Sequence, residues 1–236
     1  CYARPTHSYL DLSPGLDFET RILGKVNAAD LLRRALAKPG YVPSPINLGS
    51  ATDPYQPVER GARLTRGVLE VLDASKHPFT IVTKSALVVR DLDILTRAAA
   101  RKQVQVLMSL TSLDHGLMRV LEPRASSPSA RLQAVRALAQ SGVPVGVNVA
   151  PIIPFVNEPE VEALVAAAAS AGARSVHFTV LRLPWEVKPL FEDWLRQHRP
   201  LQADRVLARL RDLGDGEVYR AGLDRKSTRL NSSHSQ

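Results

Sequence analysis

The chain has 236 residues, of which 44% are hydrophobic and 23% charged, and its formal net charge is +8. This length and composition suit one sizeable globular core, and without a run of about 18 apolar residues we expect no membrane span. The single cysteine, Cys1, excludes an internal disulfide framework and suits a reducing cytosol. The first residues also lack the basic and apolar regions of a signal peptide, so we predict a cytoplasmic protein.

Short apolar runs alternate with amphipathic stretches along the chain. Runs bounded by Gly, Pro or polar residues predict strands at residues 46–49, 79–83, 104–110, 143–150 and 175–181. Helical apolar spacing predicts helices at residues 28–37, 63–74, 92–101, 117–121, 130–140 and 159–171. Gly142 and Gly172 follow two of these helices, where a C-terminal cap is expected. Further helices are predicted from Pro184 onward and at residues 203–213.

This alternation predicts an α/β fold with a parallel sheet. Even strand spacing favours a partial (β/α) TIM-type barrel with C-terminal helices, and the missing G-x-G-x-x-G and P-loop motifs disfavour a nucleotide-binding doubly wound sheet. We predict one domain over residues 1–222. Residues 223–236 are polar and Ser-rich, so we predict a disordered and non-native tail.

Polar residues follow each predicted strand, at the edge where a parallel barrel places its active site. They are Ser50, Thr52, Asp53, Gln56, Thr83, Lys84, Ser85, Ser109, Thr111, Ser112, Glu122, Arg124, Asn148 and Arg182. Such a set suits a ligand with hydroxyl, amine and carboxylate groups. Taken singly, each has a simpler interpretation: Asp53-Pro54 can build a turn, and Lys84 can be a surface lysine. No H-E-x-x-H or C-x-x-C metal motif is present.

Several runs together resemble the radical S-adenosylmethionine family, in particular its spore photoproduct lyase-like group, also described as DNA repair photolyase-like. The resemblance covers about residues 1–222. Its motifs are Cys1-Tyr2-Ala3-Arg4-Pro5-Thr6-His7, Leu16-Asp17-Phe18-Glu19, Thr52-Asp53-Pro54-Tyr55-Gln56-Pro57-Val58-Glu59, Thr83-Lys84-Ser85, Leu121-Glu122-Pro123-Arg124 and Arg182-Leu183-Pro184.

The resemblance implies a [4Fe–4S] cluster held by a C-x-x-x-C-x-x-C motif, with Cys1 as its third cysteine. It implies that the first two cysteines and the first barrel strand precede this sequence, so this fragment alone is expected to be inactive. The implied reaction is reduction of S-adenosylmethionine to a 5′-deoxyadenosyl radical, with flavodoxin or ferredoxin as the implied reductant. Soft thiolates suit iron–sulfur chemistry.

The resemblance also implies roles for residues that match the family's cofactor positions. Gly49, Ser50 and Thr52 match the loop that binds the methionyl amino group. Lys84 matches the carboxylate ligand, and Arg131 is a second candidate for that role, with Arg124 as its competitor. Ser109 and Thr111 match positions that contact the ribose hydroxyls. Asn148 matches a position that flanks the adenosine.

One departure bears on the substrate, which the resemblance implies to be DNA. Spore photoproduct lyases use a further cysteine as hydrogen donor, and this chain has no second cysteine. Two other functions stay open: a Schiff-base aldolase or lyase barrel with Lys84 as nucleophile, and a non-catalytic barrel that binds nucleic acid. An N-terminal nucleophile hydrolase using Cys1 is disfavoured by the strand–helix alternation.

Overall fold

A computed structural model describes residues 3–213. Its strands are β1 (Ile46–Leu48), β2 (Phe79–Thr83), β3 (Val104–Ser109), β4 (Val145–Ile152) and β5 (Val176–Val180). Its α-helices are α1 (Leu16–Thr20), α2 (Ala28–Leu36), α3 (Glu59–Ala62), α4 (Leu64–Ala74), α5 (Leu92–Ala100), α6 (His115–Leu121), α7 (Pro128–Gln140), α8 (Val161–Ser170), α9 (Val187–His198) and α10 (Ala203–Leu213). Three 3-10 segments span Arg4–Leu10, Ala86–Asp91 and Glu158–Glu160.

The chain divides into two compact units. The larger unit comprises Leu23–Ile152 and Pro159–Thr179, and the described part of the smaller unit comprises residues 3–22, 153–158 and 180–213. Cys1 and the tail at residues 223–236 lie outside the described residues. The prediction of a single domain over residues 1–222 therefore stays a prediction.

The larger unit is built on a five-stranded parallel sheet whose strands lie side by side in chain order. Ile46 pairs with Phe79, Phe79 pairs with Val104, and Val106 pairs with Val145. Each crossover between consecutive parallel strands contains at least one helix, as such connections require. The predicted α/β class with a parallel sheet is confirmed.

One face of the sheet carries the apolar core. Alternate residues of β2, β3 and β4 are buried there, because successive strand side chains point to opposite faces. They pack against apolar residues of α4, α5 and α7, such as Leu72, Ile94 and Leu138. The alternate positions are more exposed or polar, including Thr80, Gln105 and Asn148. The second face thus carries polar residues beside apolar ones such as Val82 and Leu107, and the partial barrel stays a prediction.

Strand β4 begins two residues later than the sequence predicted. Gly142 adopts a φ of +75° after α7, and the Val143 N–H donates to the Leu138 carbonyl at 3.0 Å. Val143 is therefore part of the helix C-terminal cap, as the glycine predicted, and β4 starts only after Pro144.

The smaller unit contains α1, α9 and α10. Arg4 ties its first segment together by donating to the carbonyls of Pro14 and Gly15, each at 3.0 Å, and by pairing with Glu19. Its C-terminal helices bury Phe191 and Leu195 on α9 and the apolar face of α10. The predicted C-terminal helices are thus confirmed.

Among residues 3–213, no helix has the length and apolar content needed to cross a bilayer.

Candidate functional site

The carboxyl ends of β2 and β3 converge on one carboxylate, Glu122. The Lys84 ammonium, one residue beyond β2, forms an ion pair with Glu122 Oε1. Thr111, two residues beyond β3, donates its hydroxyl to the same oxygen at 2.9 Å. Arg131 donates from Nη2 to Glu122 Oε2 at 2.6 Å. The Glu122 carboxylate thus contacts two cationic side chains and one hydroxyl at the strand ends.

Arg131 lies on α7 with its side chain only 1% exposed. Besides Glu122, its guanidinium donates to the carbonyl of Ser109 at 3.0 Å and to that of Ser126 at 2.8 Å. These bonds connect α7 to the end of β3. The carboxylate that Arg131 meets in this structure is a protein side chain, so its predicted contact with a ligand carboxylate stays a prediction.

The pKa of Glu122 is lowered from its ordinary value. Burial alone raises the pKa of a carboxyl, but the charges and hydrogen bonds of Lys84 and Arg131 outweigh burial. Glu122 is therefore a carboxylate anion over the whole neutral range. This anion was among the polar strand-end residues of the sequence but was not assigned a role.

The loop after β1 is attached to the end of β2 by Asp53. Its Oδ1 accepts the Thr83 hydroxyl at 2.7 Å and the Tyr55 N–H at 2.8 Å, and its Oδ2 accepts the Lys84 N–H at 2.7 Å. Asp53 thus holds its own loop against the residue that carries the ammonium. The sequence suggested only a turn at Asp53-Pro54; the structure adds a connection between two strand ends.

Gly49 starts this loop with a φ of +101°. A side chain here would overlap the carbonyl oxygen of Val82 on β2 and would lie 3.0 Å from Pro54 Cδ. We therefore expect Gly49→Ala to lower the free energy of unfolding by about 2 kcal/mol, since it adds backbone strain and a clash. Urea denaturation measures the loss.

Gly61→Ala is the matched control for this substitution. Gly61 lies in α3, and a Cβ there meets nothing within 4 Å. Since alanine is favoured over glycine in a helix, this variant should equal or slightly exceed the parent in stability. Equal stability of the two variants would contradict the role given to Gly49.

The other residues predicted from the resemblance fall into two groups. Ser109 and Asn148 are register partners on β3 and β4, so their side chains leave the sheet on the same face. The buried Thr111 hydroxyl also lies 3.1 Å from the Ala150 carbonyl, so its single proton is shared between that carbonyl and Glu122. Ser50 and Thr52, by contrast, are exposed on the loop after β1. The structure brings Lys84 and Thr111 together through Glu122, and Ser109 joins them through its carbonyl.

Lys84 was also a candidate Schiff-base nucleophile. Such a lysine must be uncharged to attack a carbonyl carbon. In this structure the Glu122 carboxylate contacts the Lys84 ammonium. The aldolase or lyase hypothesis stays a prediction.

A second buried network lies beneath the same loop, centred on Asp91. This fully buried carboxylate accepts the Tyr55 hydroxyl at 3.0 Å, Arg66 Nη1 at 3.2 Å and Arg90 Nη2 at 3.0 Å. Burial, then the Asp91 charge and hydrogen bond, raise the pKa of Tyr55. Tyr55 is thus held as a neutral phenol, and it fixes the loop that begins at Gly49.

Metal ligands are not grouped in the described part of the chain. Within residues 3–213, no three His, Cys, Asp or Glu side chains stand where they could hold one ion. Cys1, the predicted cluster ligand, lies outside these residues.

Curated relatives cover most of this chain. An uncharacterised protein of Mycobacterium tuberculosis is 36% identical over 224 residues, which are 94% of this chain and 63% of that protein. An uncharacterised protein of Methanocaldococcus jannaschii is 28% identical over 133 residues, or 56% of this chain and 48% of that protein. The chain thus spans a little under two thirds of the length of its mycobacterial relatives.

Solved structures show a more distant likeness, and no protein-family profile matches the chain. Streptococcus suis SuiB bound to S-adenosylmethionine gives a TM-score of 0.47 at 16% identity, over 72% of this chain and 41% of that protein. A second SuiB crystal structure gives 0.48 at 15% identity, over 76% of this chain and 42% of SuiB.

Proposed function

We propose that this chain is the S-adenosylmethionine-binding core of a radical S-adenosylmethionine enzyme, built as a partial barrel. The observation that supports this best is the paired Lys84 and Glu122 at the carboxyl ends of parallel strands, where barrel enzymes bind their ligands. The Lys84 side chain is 36% exposed while that of its partner Glu122 is 10% exposed, which leaves room for a ligand carboxylate beside Lys84. The motifs of the sequence point to the same cofactor.

In this proposal Lys84 binds the methionyl carboxylate, and the loop from Gly49 to Thr52 faces the amino group. Ser109 and Asn148, side by side on one face, contact the nucleoside. Arg131 and Thr111 keep Glu122 in place and act through it on Lys84. When bound, the cluster and S-adenosylmethionine supply a 5′-deoxyadenosyl radical, which is the cofactors' own chemistry.

The residues present suit S-adenosylmethionine but do not by themselves suit a three-thiolate cluster. The sequence supplies one thiolate, Cys1, and the proposed cluster needs two more from beyond these 236 residues. We therefore assign no step to the cluster in this chain. We keep flavodoxin or ferredoxin as the proposed reductant. DNA stays the proposed substrate class, supported by the resemblance to photoproduct lyases.

The test is formation of 5′-deoxyadenosine by the full-length protein after anaerobic cluster reconstitution and reduction with dithionite. We expect product from the parent protein and at least about tenfold less from Lys84→Met at low S-adenosylmethionine concentration, because a charge-assisted hydrogen bond is lost. The matched control is Lys102→Met, which changes an exposed lysine after α5. A reconstituted protein that forms no 5′-deoxyadenosine would overturn the proposed function.

A further inference from the structure

Three charged side chains form ion pairs at the ends of β2 and β3, and a fourth lies on the neighbouring loop after β1. Lys84 and Arg131 are cations, and Glu122 and Asp53 are carboxylates. Glu122 contacts both cations directly, whereas Asp53 accepts backbone amides and the Thr83 hydroxyl. The cluster therefore contains two positive and two negative groups.

Lys84 is the most exposed of the three side chains joined by these ion pairs. Arg131 is buried, with bonds to two carbonyls and to Glu122. Glu122 is itself only 10% exposed and is held by Arg131 and Thr111. Lys84 is 36% exposed, and an ammonium has three donors, of which Glu122 Oε1 takes one. A ligand anion would therefore share Lys84 with a resident carboxylate.

We infer that Glu122 is a specificity-determining residue, which makes this site select a ligand carboxylate and reject a phosphate dianion. In the ligand-free site, the negative charge of Glu122 offsets the positive charge of one of its two cationic neighbours. The inference rests on the proposed function for the identity of that carboxylate, which we take to be the methionyl group.

The selection follows from charge balance. A zwitterionic amino-acid group carries its own cation, so it adds no net charge to a balanced cluster. A phosphate dianion adds two negative charges close to the Glu122 carboxylate, and like charges repel strongly where water is partly excluded. Without Glu122 the same cluster has a surplus of positive charge, and a dianion becomes the better ligand.

The test measures how far a ligand protects Lys84 from acetylation. The lysines of the 236-residue chain are acetylated, and the extent of labelling at each lysine is quantified by mass spectrometry. L-methionine should reduce labelling of Lys84 severalfold relative to Lys102, an exposed lysine that serves as internal reference. Inorganic phosphate at the same concentration should leave the ratio unchanged. Equal protection by the two probes, or protection by neither, would overturn the inference.

Glu122→Gln should reverse the preference, with the concentration of phosphate needed for half-protection falling at least about tenfold. The double variant E122Q/R131Q removes one anion and one cation together, and it should reject phosphate again. It also avoids leaving Arg131 without a counter-ion, so it tests charge balance even where the single variant does not fold. Phosphate protection of Lys84 in the double variant would contradict the charge mechanism.

These probes need neither a cluster nor an adenosine group. Loss of 5′-deoxyadenosine formation therefore overturns the proposed function and leaves the labelling result intact. Phosphate protection in the parent chain overturns only the role given to Glu122.

Discussion

Glu122→Ala should lower the free energy of unfolding by about 4 kcal/mol, since it leaves Arg131 buried without its counter-ion. The guanidinium would keep its two carbonyl acceptors, but its charge would face an apolar interior. Thr111 and Lys84 would lose a partner as well. Urea denaturation followed by circular dichroism measures the change.

Asp30→Asn is the matched control, because it also removes a carboxylate that pairs with an arginine. Asp30 and Arg33 are three residues apart on α2, and their side chains are 65% and 63% exposed. Exposed pairs of this kind contribute little, so the loss should stay below about 1 kcal/mol. Similar losses for the two variants would show that burial does not set the strength of the Glu122 contacts.

The lowered pKa of Glu122 also gives a pH dependence. A carboxyl whose pKa is lower in the folded state than in the unfolded state contributes stability above the unfolded pKa and loses it as pH falls through the folded pKa. The parent should therefore lose stability faster than Glu122→Gln below about pH 4, the usual range for a carboxyl group. Parallel pH profiles of the two proteins would contradict this.

Asp91→Ala should cost about 3 kcal/mol of unfolding free energy, the second largest effect that we expect. It leaves the buried Tyr55 hydroxyl without its acceptor and removes a carboxylate shared by Arg66 and Arg90. The cost is smaller than for Glu122 because both arginines are partly exposed and have second partners, Asp93 and Glu59.

Tyr55→Phe separates the hydrogen bond from the ion pairs in this network. It removes one hydroxyl and leaves Asp91 with both arginines, so we expect a loss of about 1.5 kcal/mol in urea denaturation. A loss as large as that of Asp91→Ala would mean that the arginines contribute nothing to the network.

Alternation of apolar residues was enough to predict the five strands and the longer helices. Strand β2, at Phe79–Thr83, matches its prediction residue for residue, because its apolar run is bounded by polar positions. The short helices α1 and α3 were missed: with five and four residues, they offer too few positions to show a helical period. Contacts of Glu59 with the Thr65 N–H and with Arg90 stabilise α3, and they cannot be read from the spacing of apolar residues.

That these polar residues lie at one edge of the sheet was predictable, but the contacts between their side chains were not. Lys84, Ser109 and Thr111 could be assigned to one edge, because the ends of parallel strands meet there. That Lys84 reaches Glu122, 38 residues along the chain, depends on where α6 ends and how α7 packs. The same holds for Arg131, which is almost fully buried and pairs with Glu122. Spacing along a sequence carries no information on such side-chain pairings.

The bond from the Lys84 amide to Asp53 has a consequence for how the site assembles during folding. The two residues are 31 positions apart, so this bond forms only after β1 and β2 have come together. We therefore expect this connection at the carboxyl edge of the sheet to form after the local contacts of the helices. Because a side chain rather than a neighbouring strand protects this amide, its hydrogen exchange reports opening of the loop after β1 separately from unfolding of the sheet.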